Sequence, residues 1–269
     1  MGKRTITLLI LATVAVALTT VSCKKVIQVD LNNAAPQIVI EGEVTNARGP
    51  YQVRITKTVD FSASNVYPPV TNAVVSITDS TSNLTDQLVQ TDSGVYKTRK
   101  LVGAAQHTYV LNVTIDGKRY SAVSKMPKPV FLDSVTFAMN FDFNNKQEIN
   151  AVVNFQDPVG QGNYYQFTET VNSRLIPNIF VFEDRLSDGR YIEQPLFNDS
   201  SYLVKDDTLT VVMNCVDKNI YNYFFTLANV TGNNNFQTAT PANPVTNITG
   251  GALGYFSAHT TQRAKLNVY

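Results

Sequence analysis

Thr108-Tyr-Val-Leu-Asn-Val-Thr-Ile115, Asp116-Gly117 and Lys118-Arg-Tyr-Ser-Ala-Val-Ser-Lys125 form the stretch that sets the fold. Tyr109, Leu111, Val113 and Ile115 recur with a period of two, the pattern of a strand with one buried face. An Asp-Gly pair between two such runs is a strong hairpin signal, because a two-residue turn of this kind needs positive φ at both positions. Similar runs lie upstream at Gln37 to Val44, Tyr51 to Thr58, Asn72 to Asp79 and Gly94 to Arg99. The last follows Thr91-Asp92-Ser93, residues that favour turns. Short strands at this spacing predict an immunoglobulin-like or transthyretin-like β-sandwich over residues 36–127.

Downstream, Met126-Pro-Lys-Pro129 breaks the pattern. Proline cannot donate to a ladder, so a boundary is expected here and a second domain over 128–269. Its expected strands are Val135 to Phe143, Glu148 to Phe155, Asn163 to Val171, Ile179 to Phe182 and Asp207 to Val216. Glu183 to Asp206 reads as a polar, loop-rich connection. Ile220, Tyr223, Phe224 and Leu227 recur at helical spacing, with Asp217 as N-cap and Gly232 as C-cap. Gly251 to Ala258 and Gln262 to Val268 read as a closing hairpin. The expectation is an all-β (mainly β) chain: one sandwich, then a second sandwich-like domain with one short helix.

Composition narrows the function. Hydrophobic residues make up 43% of 269, enough for a real core and too many for a disordered chain. Lys+Arg is 22 against 21 Asp+Glu, so the chain lacks the basic excess of a protein that neutralises nucleic-acid phosphates. Two His and two Cys exclude a His- or Cys-rich metal module and a disulfide scaffold.

The N-terminus reads as a targeting signal. Lys3 and Arg4 precede an uncharged apolar run from Ile6 to Leu18, which falls short of the roughly 20 residues that span a bilayer. Thr20-Val-Ser-Cys23 follows and resembles a bacterial lipobox. The reading is a signal peptide over 1–22, cleavage before Cys23, acylation of that Cys and a tether over 23–35. Several acyl chains on one Cys satisfy the two-signal requirement for stable anchoring. Cys215 then remains as the only thiol, on the buried face of an alternating strand, where a Cys acts as a small hydrophobe.

Several blocks occur together in one order. They are Cys23-Lys-Lys-Val-Ile-Gln-Val-Asp-Leu31, Ile38-Val-Ile-Glu-Gly-Glu-Val44, Val70-Thr-Asn-Ala-Val-Val-Ser-Ile-Thr-Asp79 with Ser93-Gly-Val-Tyr96, and Asp157-Pro158 with Asn163-Tyr-Tyr165. The last and most telling is Asn243-Pro-Val-Thr-Asn-Ile-Thr-Gly-Gly-Ala-Leu-Gly-Tyr-Phe-Ser-Ala258. Across the whole mature chain this resembles family 4249 of the domains of unknown function, lipoproteins of the Bacteroidota. The resemblance implies a β-rich, outer-membrane lipoprotein, often associated with a TonB-dependent receptor. The family has no established activity, so no catalytic residue carries over. Lys24 and Lys25 stand where surface-exported lipoproteins of this phylum often carry acidic residues, which leaves the periplasmic and the surface face both open.

Candidate chemistry is sparse. Gly250, Gly251 and Gly254 read as a structural corner rather than a phosphate cradle, since the spacing is not G-x-G-x-x-G. His107 and His259 are the only imidazoles; Ser257 is near His259 in sequence, but no G-x-S-x-G elbow is present. No catalytic residue, metal ligand or cofactor is assigned. Asp142, Asn144 and Asn145, and separately Asp206 and Asp207, are oxygen clusters of the kind calcium takes, but neither fits the EF-hand loop pattern and both read first as ordinary turn residues. Glu183-Asp184 reads as a turn pair. Phe180 and Phe182 alternate as core residues, while Tyr202, in a polar loop with Asn198 and Asp199, is the candidate for stacking on a small-molecule, glycan or peptide ligand. Two function classes stay open: a non-catalytic binding or accessory lipoprotein, and a secreted hydrolase. An adhesin or structural surface protein is a third reading.

Overall fold

The Asp-Gly hairpin forms as its sequence requires, with Asp116 at φ 49 and Gly117 at φ 82. The structure is a computed structural model, and it describes Gly2 and residues 35–60, 66–141, 147–198, 202–231 and 243–269. The expected lipidation site Cys23, the cap Gly232 and the cluster Asp142, Asn144 and Asn145 lie outside the described residues.

The first group of strands is β1 (Ile38–Thr45), β2 (Gln52–Lys57), β3 (Val74–Asp79), β4 (Leu84–Gln87), β5 (Val89–Asp92), β6 (Val95–Lys97), β7 (Thr108–Ile115) and β8 (Lys118–Lys125). The second is β9 (Ser134–Phe141), β10 (Gln147–Gln156), β11 (Tyr164–Val171), β12 (Arg174–Leu175), β13 (Phe180–Glu183), β14 (Tyr191–Leu196) and β15 (Thr208–Val216). Helix α1 (Lys218–Thr231), β16 (Ile248–Thr249) and β17 (Leu253–Asn267) close the chain. The chain is all-β and sandwich-like with a single α-helix among the described residues.

One sheet is shared by both halves. Its order is β12-β11-β15-β17-β1-β2-β6-β5, with β13 also on β11. A five-stranded sheet, β16-β8-β7-β3-β4, and a three-stranded sheet, β14-β10-β9, supply the partner layers. The first core gathers Ile40, Ile55, Ile77, Tyr109, Leu111 and Phe256. The second gathers Phe155, Tyr165, Phe167, Leu209, Val211 and Met213. The two clusters part between Met126 and Val130, at the proline-flanked segment.

Two expectations are corrected. The closing hairpin is a single strand, β17, fifteen residues long. Its first half runs parallel to β1, from Leu253 opposite Val39 to His259 opposite Thr45, and its second half runs antiparallel to β15. The chain does not turn at His259-Thr-Thr261 because His259 and Thr260 are buried and paired, His259 with Thr45 on one side and Thr260 with Cys215 on the other, and β-branched threonines fit an extended backbone. The loop-rich segment after Glu183 contains β14, an edge strand on β10. Its Glu193, Gln194 and Pro195 hid it in the sequence, and an outer edge tolerates proline.

Helix α1 begins as its cap predicts. Asp217 Oδ1 accepts the backbone N–H of Asn219 at 2.9 Å and of Ile220 at 3.1 Å. The other oxygen accepts the Ser124 hydroxyl, and Ser124 Oγ in turn accepts the N–H of Ala258 at 2.8 Å. One carboxylate thus ties the helix to β8 and β17. Ile220, Tyr223 and Ala228 face inward, and Tyr223 and Phe224 pack on Tyr255 with ring centroids 5.0 Å away.

Candidate functional site

Where the two cores part, the backbone leaves the sheets and a cleft opens. Pro127 and Pro129 keep this segment out of any ladder. Buried Met126 fixes one end through backbone bonds with Gln106 and His107. The other end is held by Gln262 of β17, which accepts the N–H of Leu132 at 3.1 Å and donates to the carbonyl of Val130. Val130 N–H points at the Cys215 sulfur at 3.4 Å. Burial pushes that thiol's pKa up, so Cys215 is an acceptor and a packing residue rather than a nucleophile.

The cleft has a volume of about 620 Å³, within the ordinary range for small-molecule sites. Met126, Val130, Phe131, Pro158 and Val159 give it apolar walls, and Gln106, Lys125, Lys128, Gln156 and Asn163 bring polar groups. Phe131 is 72% exposed and Val159 is 91% exposed, so two large apolar side chains stand free at the lining.

The wall formed by residues 156–163 is braced by carboxylates that sequence reasoning did not connect. Asp157, Asp184 and Asp188 each place an oxygen within 4.8 Å of the others. Asp157 accepts the hydroxyl of buried Tyr165 and the N–H of Gly189 at 3.0 Å. Asp184 accepts the N–H of Gly162 at 3.0 Å, and both the N–H and the side-chain amide of Asn163, at 3.1 and 2.9 Å. Asp188 accepts the N–H of Gly160 at 2.7 Å. Gly162 sits at φ 106, a conformation that favours glycine. Burial, against the hydrogen bonds from Tyr165 and Gly189 and with the charges of Asp184 and Asp188 added, raises the Asp157 carboxyl above its ordinary value. Three carboxylates are donors of the kind hard cations take, but both oxygens of Asp157 and of Asp184 are already occupied by protein donors. The cluster fastens the glycine-containing cleft wall to the 3-10 turn at Asp184–Leu186. Only the period of β13 and the turn residues after it hinted at this meeting, which is made across 27 and 31 positions of sequence.

A second buried polar group lies in the second core. Glu169 occupies an inward position of β11, between Phe167 and Val171, and is 1% exposed. Its Oε2 accepts Asn198 Nδ2 at 2.5 Å, while Asn198 N–H donates to Asn150 Oδ1 at 2.8 Å and Asn178 Nδ2 donates to Asn198 Oδ1 at 2.7 Å. Glu169 Oε1 and Asn150 Nδ2 have no protein partner. Burial pushes the Glu169 carboxyl up to about 7, against the single hydrogen bond from Asn198. The strand's period of two places Glu169 inside, and that was the available signal.

The residues singled out from sequence are scattered. His107 Nδ1 lies 2.7 Å from Asp79 Oδ2. Burial raises the Asp79 carboxyl, yet hydrogen bonds from His107, Ser82 and Thr81 outweigh it and hold it below its ordinary value. His259 Nδ1 is 2.9 Å from Ser257 Oγ, two residues away on the same strand face, and both side chains are buried. Burial pushes His259 down to about 4, which leaves it neutral at pH 7. The two imidazoles sit in separate environments. Asp207 accepts Asn172 Nδ2 at 2.6 Å and the N–H of Val204 at 2.9 Å. Tyr202 is half-buried and packs against the second core, as Phe180 and Phe182 do. Gly254 would place a Cβ 2.1 Å from the Ile40 carbonyl oxygen, so its role is close approach of β17 to β1.

No described helix is long and apolar enough to cross a membrane. The chain matches no curated protein. A family match does cover it: the domain of unknown function DUF4249 spans residues 24–265, taking in the first core, the cleft and all but the last residues of the second core and of β17. On that extent of match, the chain is a member of the DUF4249 family.

Proposed function

We propose that this protein is a lipid-anchored component of the bacterial outer membrane that works by binding, as a non-catalytic accessory to a TonB-dependent transporter. The observation that carries the binding role is the cleft of about 620 Å³ between the cores, with exposed Phe131 and Val159 beside Lys125 and Lys128. Apolar walls with a few convergent polar groups are the usual design of a ligand pocket. Small molecules, glycans and peptides are the ligand classes this lining suits. The anchor rests on the charged-apolar leader and on Cys23, and the transporter link rests on family membership alone. Fold does not fix function, so the link needs a direct test.

The test is native co-purification. A C-terminal tag is added, the outer membrane is solubilised in mild detergent, and the bound proteins are identified. A stoichiometric β-barrel receptor is expected, and it is expected to be lost with Cys23→Ala. Recovery of the tagged chain alone counts against the accessory role and turns the search to adhesion and hydrolysis.

A further inference from the structure

Sheet edges expose unpaired N–H and C=O groups, and folded proteins blunt them with charge, proline, bulges or brevity. Almost every described edge follows that rule. In the shared sheet, β5 has four residues, a bulge and Asp92; β12 has two residues; β13 has four and ends in Glu183. In the five-stranded sheet, β16 has two residues, and β4 has four with Asp86. β14 carries Glu193 and Pro195. Beyond His259, β17 has no described neighbour on its β1 side, but Arg263 and Lys265 are exposed there.

β9 is the exception. It is the outermost strand of the three-stranded sheet and pairs only with β10 among the described residues. Its sequence, Ser-Val-Thr-Phe-Ala-Met-Asn-Phe, runs eight residues without a charge, a proline or a glycine. Val135 and Phe137 pack on the second core, so Thr136, Ala138 and Asn140 alternate onto the outer face. Met139 is 53% exposed although it shares the parity of the core-facing residues.

We propose that β9 is a strand-addition edge, and that its occupant is β9 of a second copy of this chain, antiparallel across a two-fold axis. Such an axis, perpendicular to the sheet, sets residues of one face opposite residues of the same face. Centred on Ala138, the pairing sets Phe137 opposite Met139 on the core side, and sets Ala138 opposite its own copy and Thr136 opposite Asn140 on the outer side. Each is a favourable or neutral cross-strand pairing, and none sets like charges opposite. A charged partner strand would find no counter-charge on β9, whereas the strand is fully compatible with itself. Pairing joins two three-stranded sheets into one of six strands and covers Met139.

The experiment uses residues 36–269, which contain every residue of both cores, and reads the oligomeric state by sedimentation across a concentration series. The expected result is a dimer at concentrations of about 100 μM. Ala138→Lys combined with Asn140→Lys sets cations against cations across the axis and is expected to weaken association about tenfold or more. The control Gln87→Lys on β4 leaves the dimer intact. A wild-type monomer at that concentration overturns the proposal, as does a dimer that the double variant leaves unchanged. Should the double variant fail to fold, hydrogen exchange of the wild type decides. Protection of β9 amides that rises with protein concentration supports the pairing, and protection independent of concentration overturns it.

Discussion

Glu169 and His259 are buried ionisable groups of opposite sign, and burial favours the neutral form of each. Their effects on stability run in opposite directions. Glu169 is raised from 4.5 to about 7. The folded chain therefore binds the proton more tightly than the unfolded chain, and stability falls as pH rises through that window. His259 is lowered from 6.5 to about 4. Here the unfolded chain binds the proton more tightly, and stability is lost as pH falls through that window. Each shift corresponds to roughly 3 kcal/mol. From about pH 4.5 to 6.5 the two slopes oppose, so these groups together leave the unfolding free energy nearly flat. Glu169→Gln is expected to remove one slope, so that stability drops on acidification below pH 6.5 while rising by about 2 kcal/mol at pH 8. His259→Gln, provided it folds, is expected to show the reverse slope, with stability falling as pH rises. Denaturant titrations at several pH values check both, and parallel pH profiles for wild type and Glu169→Gln would refute the assignment.

At the scale of elements, β17 decides the architecture. Its parallel pairing with β1 depends on Gly254, where φ is +94 and an added Cβ would lie 2.1 Å from the Ile40 carbonyl oxygen. Backbone atoms cannot yield as a flexible side chain does. Gly254→Ala is expected to destabilise the fold by about 3 kcal/mol or more, through both strain and steric overlap. Chemical denaturation measures this directly, and a loss under about 1 kcal/mol would show that the strand shifts to accommodate the methyl. The loop elements at the cleft obey the same logic with hydrogen bonds. Asp157, Asp184 and Asp188 supply acceptors to Gly189, Gly162, Asn163 and Gly160, so the cleft wall is held by acceptors rather than by a strand.

At the scale of the whole molecule, the first core is not made by its contiguous segment. Ile248, Ala252, Phe256 and Ala258 complete it from the far end of the chain. Removing them exposes the inner faces of β1 and β8. A fragment covering residues 36–127 is therefore expected to remain unfolded by circular dichroism, while residues 36–269 unfold in one cooperative transition. A folded, cooperative 36–127 fragment would show that the returning strand is dispensable. The shared sheet is also what places the cleft, since Gln262 and Cys215, from β17 and β15, hold the segment that separates the cores.

Short-range pattern carried much of the structure. The period of two in Tyr109 to Ile115, the Asp116-Gly117 turn, the proline-flanked break and the cap at Asp217 each act over a few residues, and sequence alone identifies them. The strand-rich class follows from the same signals. Short or polar edge strands such as β4, β12 and β14 were not legible, because an edge need not bury a continuous apolar face. The parallel union of β1 with β17 leaves no local signature, since it joins residues more than 200 positions apart. The carboxylate cluster and the cleft are equally non-local: Asp157 and Asp184 are ordinary turn residues until folding brings their charges within a few ångströms. Neighbouring residues chose the elements through backbone preference and periodicity. Tertiary packing chose which elements meet, because hydrophobic burial and hydrogen-bond pairing act on distance in space and not on distance along the chain.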